Sequence, residues 1–257
     1  MKGSAITPVS YIRWDRQRSA PVEGWIVDEV PVCIRVHGEP WVTLMASPHD
    51  VESLVLGFLR GEGLIRGPED VRTLQRQEGT CVDVHLHSPP VTLPTHPTLT
   101  SGCVGGVTFE RIVEELPRVD AALTLSPLRL MALMGELQRK AWAYRRARGI
   151  HSAALSDGEN LLIVVEDVGR HNTLDRLWGV AMREGIDPAG YIILTSGRIS
   201  SEMLRKAAKM RVPLIASRTS PTRLALELAH AWGITVVGYV RRQSLRVYTW
   251  PQRVREE

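Results

Sequence analysis

From residue 149 to residue 240 the chain alternates short apolar runs with stretches that repeat apolar residues every three to four positions. No other feature restricts the fold as much. The pattern predicts strands at 149–155 and 161–165 about a turn at Ser156-Asp157-Gly158-Glu159. It then predicts helix 172–184, strand 191–194, helix 200–210, strand 212–216, helix 221–232 and strand 234–240. Runs such as LLIVV are apolar at every position, as in strands covered on both faces. Alternation of this kind specifies an α/β layer with largely parallel strands and right-handed crossovers.

Three strand-to-helix junctions in this half carry related residues. In VVEDVGRHNTLD (164–175) the strand stops at an acidic pair. Asn172 then reads as the N-cap of a helix whose apolar face is Leu174, Leu177, Trp178 and Ala181. Arg170 and His171 are placed in the bend, pointing past the carboxyl end of the strand. The sister junctions are Thr195-Ser196-Gly197-Arg198-Ile199-Ser200 and Ser217-Arg218-Thr219-Ser220-Pro221. Such junctions gather along the carboxyl edge of an open α/β sheet, where ligands bind. Helix amino termini and arginine both suit phosphate oxygens. Serine and asparagine cap helices everywhere, and Arg170 could simply pair with Glu166, Asp167 or Asp175. Three junctions with an arginine each favour a phosphorylated or nucleotide-like ligand. G-x-x-x-x-G-K-[ST] and G-x-G-x-x-G loops are absent, as are zinc-deaminase ligand sets and a serine-nucleophile elbow.

The first half is patterned differently. Residues 1–25 read as a loosely held arm or edge strand, and 29–45 as a hairpin turning at His37-Gly38-Glu39-Pro40. Ser47 is expected to cap a helix with Pro48 at its first position, its core face formed by Val51, Leu54, Val55, Phe58 and Leu59. Strands are expected at 71–77 and 81–87, and helices at 109–115 and 128–144. His85 and His87 share one face of a strand without a third ligand nearby, so an exposed face outweighs a metal site. The boundary between halves falls near 115–128, giving an N-terminal α+β region at 1–118 and a second domain at 119–257.

With 257 residues, 44% of them hydrophobic, the chain can bury proper cores. No apolar run approaches the roughly 20 residues of a spanning helix, and the first residues lack the apolar stretch of a signal peptide. The protein therefore reads as cytoplasmic, without a membrane. A net charge of +4 is a mild excess that suits an anionic ligand or an acidic protein partner. Nucleic acid is not expected as a partner, the basic stretch 241–255 being its weak support. Three cysteines, Cys33, Cys81 and Cys103, are odd in number and far apart, which argues for reduced thiols and against a disulfide framework or zinc. Cys33 and Cys81 fall at strand positions and read as ordinary core residues. Cys103 lies in TLTSGCVGGVT, a run with no core pattern, where a thiol can meet a partner.

Several long, ordered blocks resemble the FdhD family of formate dehydrogenase accessory sulfurtransferases: VPVCIRVHGEPWVTLMASPHDVESLVLGFLRGEGLI, SGC, HSAAL, EDVGRHNTLDRLWG, TSGRISSEMLRKAAKMRVPLIASRTSPTRLALELA, GITVVGYVR and VYTWPQR. The resemblance implies a cytidine-deaminase-like three-layer α/β domain lacking zinc ligands, beside a smaller α+β N-terminal domain. It implies a sulfurtransferase that takes persulfide sulfur from a cysteine desulfurase and passes it to a molybdenum (or tungsten) bis-guanine-dinucleotide cofactor, bound before insertion into formate dehydrogenase. Cys103 would be the carrier, and no metal ion would be bound directly. Tyr239, Val240, Arg241, Arg242, Gln243 and Ser244 would contact the cofactor, with GDP as an analogue. Arg170, His171, Arg198 and Arg218 would line the same cradle, and the chain would be a homodimer. Many family members have C-x-x-C where this chain has Cys103-Val104-Gly105-Gly106, and Ala147-Arg148-Gly149 replaces a glycine-rich pattern. One thiol suffices chemically, since a thiolate can take and surrender the outer sulfur by itself. The competing expectation is a chaperone that holds the cofactor or a guanine nucleotide and transfers no sulfur.

Overall fold

The computed structural model describes residues 4–77, 79–88, 93, 98–99, 107–108 and 116–256. Its first elements are β1 (Ile6–Trp14), β2 (Ser19–Val27), β3 (Val30–Val36), β4 (Glu39–Ala46), α1 (Val51–Gly61), β5 (Val71–Arg76), β6 (Val82–Leu86), β7 (Thr98–Leu99) and β8 (Val107–Thr108). There follow α2 (Pro127–Lys140), α3 (Trp142–Ala147), β9 (His151–Ser156), β10 (Leu161–Asp167), α4 (Arg170–Arg183), β11 (Ile192–Thr195) and α5 (Ser201–Lys209). The last are β12 (Leu214–Ser217), α6 (Arg223–Trp232), β13 (Thr235–Gly238) and β14 (Arg246–Val247). Cys103 and the helix expected at 109–115 lie outside the described residues.

The second half is three layers about a six-stranded sheet ordered β10-β9-β11-β12-β13-β14. Helices α4, α5 and α6 cover one face with Leu174, Leu177, Met203, Ala207, Leu228 and Trp232. Helix α2 covers the other with Leu130, Leu133, Met134 and Leu137. Every position of β11, β12 and β13 is buried, which is why these strands are apolar throughout. The expectation of a largely parallel sheet is corrected. Only β11, β12 and β13 pair in parallel, while β9 runs antiparallel to both β10 and β11 and β14 antiparallel to β13. The cause is local: Asp157 Oδ1 accepts from the N–H groups of Glu159 and Asn160, at 2.7 and 2.6 Å, and folds β10 back on β9 as a hairpin. Two antiparallel steps restore direction, so β10 points the same way as β11, β12 and β13. Their carboxyl ends share one edge.

In the first half, α1 packs Leu54, Val55, Phe58 and Leu59 onto Val32, Ile34, Val82 and Val84 of a four-stranded sheet ordered β4-β3-β6-β5. Of the two readings of residues 1–25, arm or edge strand, the structure gives strand: β1 and β2 form an antiparallel hairpin. Its base is buried through Ile6, beside Ala143 and Ile150, while Ile12, Trp14 and Ile26 stay exposed.

Three local expectations also change. Ser47 caps no helix: its hydroxyl accepts from the Val168 N–H at 3.1 Å, and α1 begins only after Asp50, whose φ is 40°. Asn172 lies inside α4 rather than before it, because its Nδ2 donates to Met45 O and Asp167 Oδ1 while Gly169 takes the capping position. The helix expected at 128–144 breaks at Ala141, where ψ is 86°. No helix among the described residues is long and apolar enough to cross a membrane.

Candidate functional site

The second and third junctions lie side by side because backbone pairing continues past the strand ends, and the first meets them where Gly197 packs on Arg170. Ser196 N donates to Ser152 O, Arg218 N to Thr195 O and Val240 N to Ser217 O. Hydroxyls complete the edge: Ser196 Oγ accepts from Ser152 N at 2.9 Å, and Ser217 Oγ donates to Gly197 O at 2.6 Å. Against it lies a cavity of about 600 Å³ whose lining includes His151, Ser196, Arg218, Thr219, Arg241, Tyr144 and Glu29. Tyr144, Arg218 and Arg241 also line an adjoining groove of about 1170 Å³. Six arginines meet there: Arg139, Arg145, Arg148, Arg218, Arg241 and Arg242. None of the groove's described lining residues is acidic. Guanidinium groups gathered without carboxylates repel one another, and an anion that bridges them relieves the repulsion.

The expected site residues are placed unequally. Arg218 is half-buried and borders both cavities, whereas Arg241 and Arg242 are exposed. Tyr239 has φ 52° and lies 4.2 Å from the Arg246 guanidinium, ring centroid to Cζ. Val240 is fully buried and its N–H is spent on Ser217 O, so it supports the edge rather than facing the cavity. Gln243 and Ser244 are exposed, and the Ser244 carbonyl accepts from Arg241 N at 2.8 Å, closing the turn that presents the two arginines. Arg198 is exposed and lines neither cavity. Arg170 and His171 sit buried in the first turn of α4, not in the bend. Gly197 packs on the stem of Arg170, where an added Cβ would fall 2.9 Å from Arg170 Cβ. His171 Nε2 turns toward α5, 3.0 Å from Ser200 Oγ and 3.3 Å from the Glu202 carboxylate.

Arg139, Arg145 and Arg148 escaped the sequence reading, although 139–148 holds five cations and no acid. That block belongs to amphipathic helices, and a basic helix face is ordinarily a solvated one. Here the break at Ala141 turns it toward the strand edge. His151 was missed too. Burial and the neighbouring Arg170 push its imidazole below the ordinary value, so it is neutral at pH 7.

Beneath the edge, α4 and α5 bury charges together. Lys206 Nζ contacts both Asp175 oxygens at 2.5 and 2.6 Å, and Arg205 reaches Glu62 at 3.4 Å. Burial pulls His171 and His49 down to about 4, and burial pushes Asp175 up to about 6. Each histidine takes its proton in the unfolded chain near pH 6.5 but in the folded chain only near 4. Their contribution is therefore present above pH 6.5 and lost as pH falls toward 4. Asp175 acts oppositely: its proton binds the folded chain more tightly, so its contribution shrinks as pH rises from about 4 to 6. His151 is depressed as well and Glu166 is raised by burial, so three histidines stand against two carboxylates, and thermal unfolding midpoints should fall from pH 7 to 5. His171→Asn should flatten that slope, and a midpoint that rises on acidification would contradict it.

Fold and edge together define a mixed α/β protein with an arginine-lined groove at the carboxyl ends of its strands. Comparison with known proteins gives the family: the profile of the FdhD/NarQ family matches residues 27–255, and the chain belongs to that family. It is 36% identical over 252 residues to the sulfur carrier protein FdhD of Bacillus subtilis (strain 168), covering 95% of each chain. To the protein of the same name from Geobacillus kaustophilus it is 32% identical over 260 residues, covering 99% of each. A solved structure from Desulfotalea psychrophila, described as a formate dehydrogenase accessory protein, superposes with a TM-score of 0.77 at 23% identity, covering 98% of this chain and 100% of that one.

Proposed function

We propose that the chain carries sulfur for formate dehydrogenase maturation, with Cys103 as the persulfide carrier and the arginine groove as the seat of a molybdenum or tungsten bis-guanine-dinucleotide acceptor. The groove is the observation that supports the second part: six arginines, with no carboxylate among its described lining residues, suit a ligand bearing several phosphates. Its 1170 Å³ exceeds the 300–1,000 Å³ range typical of small-molecule pockets. Relatives named as sulfur carrier proteins support the first part. In the proposed transfer the Cys103 thiolate attacks the outer sulfur of a cysteine desulfurase persulfide, releasing the desulfurase thiolate. The sulfur then leaves for the acceptor and the Cys103 thiolate is restored. Residues 119–257 are on this reading a cytidine-deaminase-like domain without zinc ligands, in a cytoplasmic homodimer.

Mass spectrometry after incubation with a cysteine desulfurase and cysteine should show one extra sulfur on the wild-type chain and none on Cys103→Ala. A persulfide that persists on Cys103→Ala would sink the carrier assignment. Calorimetry with GDP tests the groove. Arg241→Ala and Arg242→Ala should each remove about 1.5–3 kcal/mol of binding, the usual worth of a hydrogen bond to a charged group, or roughly ten- to a hundredfold in affinity. Unchanged affinity in both would remove the groove from the reading. Normal activation of formate dehydrogenase by Cys103→Ala in a deletion strain would favour a cofactor-holding chaperone.

A further inference from the structure

Cys33 and Cys81, which the sequence suggests are unrelated core residues, are neighbours on the outer face of the four-stranded sheet. β3 and β6 pair in parallel with Ile34 opposite Val82, so the residues one step earlier, Cys33 and Cys81, face each other across the ladder. Strand alternation sends both away from the apolar side formed by Val32, Ile34, Val82 and Val84. Both are half-buried, and the neighbouring Cys81 pushes the Cys33 thiol above its ordinary value. The Thr80 hydroxyl donates to Pro31 O and ties the two segments beside the pair. Paired strands run about 4.8 Å apart, inside the roughly 4.4–6.8 Å between Cα atoms that a disulfide spans. A core role explains none of this. A core cysteine needs neither solvent nor a second thiol, and these two have both.

We propose that Cys33 and Cys81 form a redox-active dithiol that closes to an intramolecular disulfide when a peroxide oxidises it. The first sulfur, as thiolate, attacks a peroxide oxygen and breaks the O–O bond, becoming a sulfenic acid while the departing hydroxide is protonated to water. The second sulfur displaces the sulfenic oxygen as water and forms the S–S bond. Two thiols thus lose two hydrogens and two electrons, and one peroxide becomes two waters. Either sulfur can attack, since the other stands opposite it and can resolve the sulfenic acid. The pair does not involve Cys103, so its failure would leave the sulfur-carrier reading standing.

The full chain has three cysteines, and Cys103→Ala leaves only this pair. Folded Cys103→Ala protein is treated with hydrogen peroxide, quenched, alkylated under native and then denaturing conditions, and weighed intact before peptide mapping without reductant. The expected result is loss of both alkylation sites, a mass lower by two hydrogens and a peptide joining Cys33 to Cys81. Dithiothreitol should restore both sites, and electrophoresis without reductant should show single chains. Adding Cys33→Ser should abolish the mass loss and leave Cys81 alkylated or carrying oxygen. Oxygen added separately to each sulfur, a disulfide between two chains, or two thiols still alkylated after excess peroxide would each overturn the proposal.

Discussion

Gly57→Ala should unfold the chain or leave it insoluble, although it adds one methyl group to a helix and alanine is the better helix former. Helices α1 and α4 cross backbone to backbone, each through a glycine. A Cβ built on Gly57 falls 1.7 Å from Asp175 O, and one on Gly179 falls 1.8 Å from Ser53 O. Main chain cannot swing aside as a side chain can, so the helices must part. Parting opens two cores at once, since α1 fills the four-stranded sheet on its other side and α4 fills the six-stranded one. It also pulls at Asp175, whose carboxylate holds the buried Lys206 ammonium. Overpacking ordinarily costs about 1–3 kcal/mol. Here the expected loss is at the top of that range or beyond, out of the roughly 5–15 kcal/mol a domain has. Chemical denaturation measures it, with Gly61→Ala as the control. At Gly61 the added Cβ meets only Asp175 Oδ1 at an ordinary 3.5 Å, so stability should change by less than about 1 kcal/mol. Gly179→Ala should be as damaging as Gly57→Ala, and the double variant less damaging than the sum, because one separation relieves both clashes. A Gly57→Ala midpoint equal to that of Gly61→Ala would show that the helices slide apart freely.

That crossing is illegible in the sequence, and the reason is general to what the sequence leaves open. LVLGFL reads as an amphipathic helix carrying a mildly unfavourable glycine, because only the partner backbone gives the missing side chain a purpose. Local periodicity was enough for α1, α4, α5 and α6 and for the strands between them, since each must bury a face whatever its partner. Periodicity carries no direction, however: the turn at 156–159 was legible, but that β9 also runs antiparallel to β11 was not. The same limit applies to the site. Arg218, Arg241 and Arg242 were marked by chain logic, at a junction and in a resembling segment. Arg139, Arg145 and Arg148 needed the break at Ala141 to aim them, and Cys33 needed a strand partner 48 positions away (81 − 33) to become a dithiol.

Arg176→Met should destabilise the chain by about 3–5 kcal/mol, the usual cost of orphaning one member of a buried ion pair. Its guanidinium is 1% exposed, and both Nη groups are engaged on one side of the bend that follows β10. Nη2 meets Asp167 Oδ2 at 2.5 Å and Ser47 O at 3.2 Å, while Nη1 takes Asp50 O at 2.7 Å and the His49 carbonyl. Asp167, with no exposure at all, spends its other oxygen on Gly169 N at 2.9 Å and Asn172 Nδ2 at 3.0 Å. One charge pair therefore fixes the end of β10, the first turn of α4 and the segment 47–50. Methionine fills the volume but leaves a buried carboxylate and three carbonyls without their donor. Adding Asp167→Asn removes the orphaned charge, so the double variant should recover at least about 1 kcal/mol relative to the sum of the singles, within the usual coupling of contacting residues. A wild-type denaturation midpoint for Arg176→Met would refute this. The consequence for ligand binding follows from Ser47, which holds Val168 N, and Val168 lines the 600 Å³ cavity. Loosening the bend should therefore weaken GDP binding even at temperatures where Arg176→Met remains folded. Arg241→Ala should weaken the same binding with no shift in the unfolding midpoint, because its side chain is exposed. If the proposed groove holds the nucleotide, the two variants divide the edge into residues that build it and residues that touch the ligand. Arg176→Met that is folded yet binds GDP with wild-type affinity would remove the bend from the cradle altogether.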